Sequence, residues 1–111
     1  MNRSFRSLEI YEQSKKLVVA CYALTHDLPP EEETNFSRYI RTAALNVHLN
    51  VAQGVFLKKK KRKKFLGRAK DSLVIVEAAV EILVEVGFAT REQTEPIVKL
   101  CSSCYQLIDQ L

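Results

Sequence analysis

Apolar side chains return every three or four positions along nearly the whole chain, and only three glycines and three prolines interrupt them. A period of about 3.6 marks helices packed by one face. With so few turn-formers, an all-β architecture needing a turn every ten residues or so is excluded. From Leu8 onward, Ile10, Ser14, Leu17, Cys21, Leu24 and Leu28 form one stripe, widened by Tyr11, Val18 and Tyr22. Ser7 is placed as its N-cap. Leu28-Pro29-Pro30 ends it, because a residue before proline is pushed out of the α region.

The second stripe runs Phe36, Ile40, Ala43, Val47, Asn50 and Gly54, slimmed by Ala44 and Ala52. Pro30 suits a first-turn position, with Glu31, Glu32 and Glu33 complementing the positive end of the helix dipole. Gly54 is read as the stop, and Asn50, polar in an apolar stripe, as fixing register or capping backbone inside the bundle. The third stripe, Phe65, Ala69, Ser72, Val76, Ala79, Leu83 and Val86, stops at Gly87. Leu73, Val80 and Ile82 broaden it into an arc wide enough for contacts with the bundle and with another subunit. The fourth presents Ile97, Cys101, Cys104, Ile108 and Leu111, flanked by Leu100, Tyr105 and Leu107. Thr90 and Gln93 fit a capping box, but Pro96 would then lie well inside the helix, so a start at Thr94 is preferred.

The chain of 111 residues is therefore expected to be one all-α domain, with helices at about 8–27, 31–53, 59–86 and 94–111. Short connections make the expected architecture an antiparallel up-down-up-down four-helix bundle. No apolar run approaches the ~18 residues of a membrane span. The opening MNRSFRSLEIYEQSKK lacks the apolar core of a secretory signal, so a cytoplasmic location is the default expectation.

Charge is distributed unevenly. Residues 58–70 hold Lys58, Lys59, Lys60, Lys61, Arg62, Lys63, Lys64, Arg68 and Lys70, nine of the seventeen basic residues, and no acid. Outside that window eight basic residues face thirteen acidic ones, a net charge of −5 in a chain whose total is +4. A helix N-terminus already carries about half a positive charge, and seven adjacent cations repel one another. Such a conflict is expected where binding shaped the sequence, and phosphates would relieve it. These nine residues, extended by Arg38 and Arg41, are the candidate nucleic-acid-binding set. The nearest aromatics are Phe65, assigned to the core, and Phe56, which with Leu57 is weighed in favour of packing over base stacking. Backbone-dominated, sequence-tolerant binding is the expectation. An anionic membrane would attract the same run, but no amphipathic anchor or lipidation motif accompanies it.

Catalytic, cofactor and metal readings find little footing. Cys101-Ser-Ser-Cys104 matches C-x-x-C, but no strand precedes it as in a redox fold. The remaining zinc candidates, Cys21, His26 and His48, are scattered singly. Two small apolar side chains on one helical face explain the pair better. His26 and His48 have no partner within helical reach. Glu77, Glu81 and Glu85 form an i,i+4 ladder without the Glu-x-x-His that a di-iron bundle needs, and read as a solvated face or as a partner for cations of a neighbour.

The segments Phe5-x-x-Leu8-x-Ile10-Tyr11 with Leu17, Leu28-Pro29-x-Glu31, Arg41-x-Ala43-x-x-x-Val47-x-x-Asn50-Val51-Ala52-Gln53-Gly54 and Phe65-Leu66-x-x-Ala69-x-x-Ser72-Leu73 together resemble a bacterial family. Its members are small four-helix-bundle proteins first known as reading frames within intervening sequences of 23S ribosomal RNA genes. That family is related to the accessory variability protein of diversity-generating retroelements. Gln53 departs from the usual Glu, and the lysine run is denser than usual. The resemblance implies a ring-like homopentamer without a catalytic centre. It also implies, for retroelement members, nucleic-acid binding beside a reverse transcriptase. The alternative is a structural scaffold whose ring binds a protein partner through an acidic patch, the lysines serving solubility.

Overall fold

The structure, a computed structural model, describes residues 5–111. The first four residues, part of the stretch read above as no secretory signal, lie outside it. The described chain contains four α-helices and no strand: α1 Phe5–His26, α2 Phe36–Gly54, α3 Lys59–Glu85 and α4 Arg91–Asp109. Each helix packs on two neighbours, α1 on α2 and α4, and α3 on α2 and α4, while the diagonals do not meet. That is the square cross-section of an antiparallel four-helix bundle. Its long axis of 44 Å matches the ~40 Å that a 27-residue helix spans. No described helix is long and apolar enough to cross a membrane.

The core follows the expected stripes except at two ends: Leu8 and Val86, placed on them, are about half exposed. Ile10, Leu17 and Cys21 of α1 meet Ile40, Val47 and Val51 of α2, Val76, Val80 and Leu83 of α3, and Ile97 and Cys104 of α4, all essentially solvent-free. Burial pushes the thiols of Cys21 and Cys104 up to about 12 and that of Cys101 higher still. They carry almost no thiolate at neutral pH and act as small apolar side chains.

Several local expectations need correction. Ser7 is no N-cap: α1 begins at Phe5, and Ser7 is buried two residues inside it. Residues 30–35 are not the start of α2. Pro30–Glu32 forms a single 3₁₀ turn, and Asn35 lies off the helical region at φ −122°, ψ −104°. There its side-chain amide donates to Glu32 Oε1 at 2.9 Å, the local competition by which Asn breaks helices. The three glutamates therefore precede α2 rather than occupy its first turn.

α4 starts at Arg91, not Thr94. Both hydrogen bonds of the Thr90–Gln93 capping box form, Gln93 N–H to Thr90 Oγ1 at 3.1 Å and Thr90 N–H to Gln93 Oε1 at 2.8 Å. Two satisfied terminal donors outweigh the one intrahelical bond that Pro96 forgoes. Gly87 does stop α3. It adopts φ +82°, with Phe88 N–H bonded to the Leu83 carbonyl at 2.9 Å and Gly87 N–H to that of Val84 at 3.1 Å, a Schellman closure. Gly54 is needed for another reason: a Cβ there would lie 3.0 Å from the Phe65 Cβ and 3.4 Å from the Arg62 carbonyl. The glycine lets α3 begin hard against the end of α2. Asn50 sets no register between helices, since its amide donates to the Asn46 carbonyl of its own helix at 2.7 Å.

Candidate nucleic-acid interface

The lysine run becomes the opening of α3. Lys58 is the N-cap in extended geometry with no side-chain cap, and its carbonyl accepts from Arg62 N–H at 2.8 Å. Lys58, Lys59, Lys60, Lys61, Lys63 and Lys64 are all exposed. Among the described residues, no carboxylate pairs with any of them. Arg68 lies over the Phe65 ring at 5.4 Å, and Phe65 is half-buried beside Gly54 rather than in the core. Phe56 packs against the core, as expected.

Antiparallel packing brings the start of α3 to the same end of the bundle as the C-termini of α2 and α4 and the start of α1. Cations there meet outward-facing carbonyls, a favourable pairing at a helix C-terminus. Arg62 donates from Nη2 to the Leu111 carbonyl at 3.4 Å. Arg6 of α1, which the sequence reading passed over, donates from Nη1 to the Gln110 carbonyl at 3.0 Å. Its signal was only a single arginine near the start of an amphipathic segment. Lys70, at the end of the basic window, pairs with Asp109. That hydrogen bond holds the ammonium above its ordinary pKa, and the Tyr105 ring lies 4.6 Å from it.

Between the first turns of α3 and the last of α4 lies a cleft of about 230 Å³. Its rim carries Lys59, Arg62, Lys63 and Lys70, which recur at helical spacing on one face of α3. Leu66, Gly67 and Ile108 lie between them.

Arg38 and Arg41 do not extend this surface. Both sit on the first turns of α2, some 13–16 residues and thus ~20 Å or more from Gly54 and the lysine end. Arg41 is occupied there: Nε donates to Thr25 Oγ1 at 2.7 Å, Nη1 pairs with Glu33 at 3.5 Å, and the guanidinium stacks 4.7 Å from the Tyr22 ring. It ties α1 to α2. His48 has a partner that helical spacing could not reveal, because it comes from another helix. Nδ1 is hydrogen-bonded to Ser14 Oγ at 2.8 Å, and the ring meets Tyr11 edge-on at 4.8 Å. Ser14 is fully buried, so this pair pins α1 to α2 and presents no nucleophile to solvent.

The second half of α3 is acidic. Glu77, Glu81 and Glu85 are exposed, beside a groove of about 430 Å³ shared with Val74, Arg91 and Val98 of the α3–α4 face. Of the arc expected beyond the main stripe, Leu73 and Val80 are buried in the bundle's own core and only Ile82 is about half exposed, where it lies in line with Ile75 and with Val86 just past the helix end, both also about half exposed.

Comparison with known proteins places this geometry in a family. The family described as "23S rRNA-intervening sequence protein" matches residues 6–110. The crystal structure of a protein of unknown function from the S23 ribosomal protein family of Bacteroides thetaiotaomicron superposes with a TM-score of 0.87. The match covers 96% of each chain at 18% identity, a likeness that shows the fold alone. No curated protein matches the sequence closely enough to count as a relative.

Proposed function

The chain belongs to the 23S rRNA-intervening sequence protein family, and from that premise we propose that it is a non-catalytic, oligomeric nucleic-acid-binding accessory protein of the cytoplasm. It grips the phosphate backbone of RNA or DNA through the opening of α3. The observation that carries this reading is the set of six exposed lysines, residues 58–61, 63 and 64, with no carboxylate paired to them among the described residues. Fixed like charges held together by a helix raise the local potential; phosphates lower it, and the lysines that neutralise them release the counterions condensed on the nucleic acid. Base reading has little support in this surface, since Phe56 is packed and Phe65 is covered by Arg68. The ring of five implied by the family resemblance would repeat the element five times and convert weak contacts into avidity. By the same resemblance, a reverse transcriptase is the protein partner we propose.

A titration of single-stranded oligonucleotide across salt tests the reading. With about five phosphates neutralised per run, log K should fall against log salt with a slope of roughly −3.5. Changing residues 58–64 to Gln and Ser should flatten that slope and abolish binding. Unchanged affinity in this variant, or association indifferent to salt, removes the proposal. One observation favours a second reading, a protein-binding scaffold: the acidic groove of Glu77, Glu81 and Glu85 at the far half of α3. That reading predicts a partner whose binding survives loss of the lysines and is lost when the three glutamates become Gln.

A further inference from the structure

Gly67 is unexplained by the packing of its own chain. It lies in the interior of α3, where glycine is the poorest helix former after proline. Its φ is not positive, so no backbone conformation demands it. A Cβ at this position would meet no atom of the described residues within 4 Å, in contrast to Gly54. What the missing side chain does leave is space: Gly67 lines the cleft between α3 and α4.

That cleft has two kinds of wall. Lys59, Arg62 and Lys63 crowd its rim; Asp109, the one acidic side chain among the lining residues, pairs with Lys70, and Arg62 also donates to the Leu111 main-chain oxygen at 3.4 Å. Below them Leu66, Ile108 and the bare backbone of Gly67 offer an apolar floor. The volume of about 230 Å³ falls just short of the ~300 Å³ at which small-molecule pockets begin. A ligand suited to it is small, flat and apolar at one end and anionic at the other.

We infer that the cleft receives one unpaired nucleotide of a bound single strand. The base slides over Gly67 against Leu66 and Ile108, while its phosphate rests on Lys59, Arg62 and Lys63. This deepens, and rests on, the reading of the lysine run as a nucleic-acid surface. A duplex keeps its bases stacked and cannot fill the cleft, so the protein prefers single strands. Apolar contact with a base face tolerates any sequence.

The test uses fluorescence anisotropy on the full chain with a labelled 12-mer of uridine and an abasic 12-mer of equal phosphate count, at about 50 mM salt. The wild type should bind the base-bearing strand about tenfold more tightly than the abasic one, the scale set by burying the apolar face of one base. Gly67→Leu fills the cleft and should raise the melting temperature, so loss of folding cannot mimic its effect. It should bind both strands with the wild type's abasic affinity. Equal binding of the two strands by the wild type, or discrimination retained by Gly67→Leu, overturns the inference while leaving the backbone-binding reading intact. Tighter binding to phosphatidylglycerol vesicles than to either strand overturns it in favour of a lipid. Failure of both strands to bind removes this inference and the reading beneath it together.

Discussion

At Gly54 a side chain has no room, whereas at Gly67 it has nothing to touch, and the two glycines should respond oppositely to substitution. Gly54→Ala sets a methyl 3.0 Å from the Phe65 Cβ and 3.4 Å from the Arg62 carbonyl, so the start of α3 must give way by a few tenths of an ångström. A loss of about 1–3 kcal/mol is expected by chemical denaturation. Neither role could be read from sequence, where both residues are merely glycines in or beside helices. His48 carries the second residue-scale expectation. Partial burial, with Lys15 nearby, holds its imidazole below the ordinary value. The unfolded chain therefore takes up this proton at a higher pH than the folded chain. Its contribution to stability is complete above the usual histidine pKa of about 6.5, shrinks as pH falls through it, and is fully lost below the depressed folded value. Thermal melts at about pH 7.5 and about pH 5 should show a larger loss for the wild type than for His48→Asn, which keeps an amide near Ser14.

α3 opposes its own dipole at both ends. Its first turn holds no acid, its last turn no base, and its final residue is Glu85. Acids at the start and bases at the end would each contribute about 0.3–1 kcal/mol. The antiparallel neighbours soften the conflict at the cleft side, where Arg62 reaches a carbonyl at the end of α4. Lys60 and Lys61 have no such partner among the described residues and are exposed. Changing both to Glu should raise the melting temperature by a few degrees while weakening nucleic-acid binding, and an unchanged melting temperature would show that the dipole is already screened. Helix existence and the faces of all four helices were legible in the chain because a 3.6-residue period survives any choice of ends. The ends themselves depended on local hydrogen bonds. The Asn35–Glu32 contact and the full Thr90–Gln93 box shifted the starts of α2 and α4 in opposite directions.

As a whole molecule, the bundle leaves Ile75, Ile82 and Val86 about half exposed along one side of α3, a stripe that a lone chain would keep in water. A homopentameric ring would cover it, and light scattering should then give the mass of five chains. Ile75→Glu with Ile82→Glu should yield a monomer of unchanged helicity. A monomeric wild type would remove the ring, and with it the avidity argued for the lysines. The sequence by itself determined four helices, their buried faces and the separation of a basic element from an acidic body, because periodicity and charge are properties of neighbours along the chain. Tertiary structure alone decided which charges share an end. Antiparallel packing set Arg6 and the start of α3 against the closing carbonyls of α4, sent Arg38 and Arg41 to the far end, and opened the cleft beside Gly67. Those relations join residues up to 104 positions apart, and distance in space is set only when the helices dock.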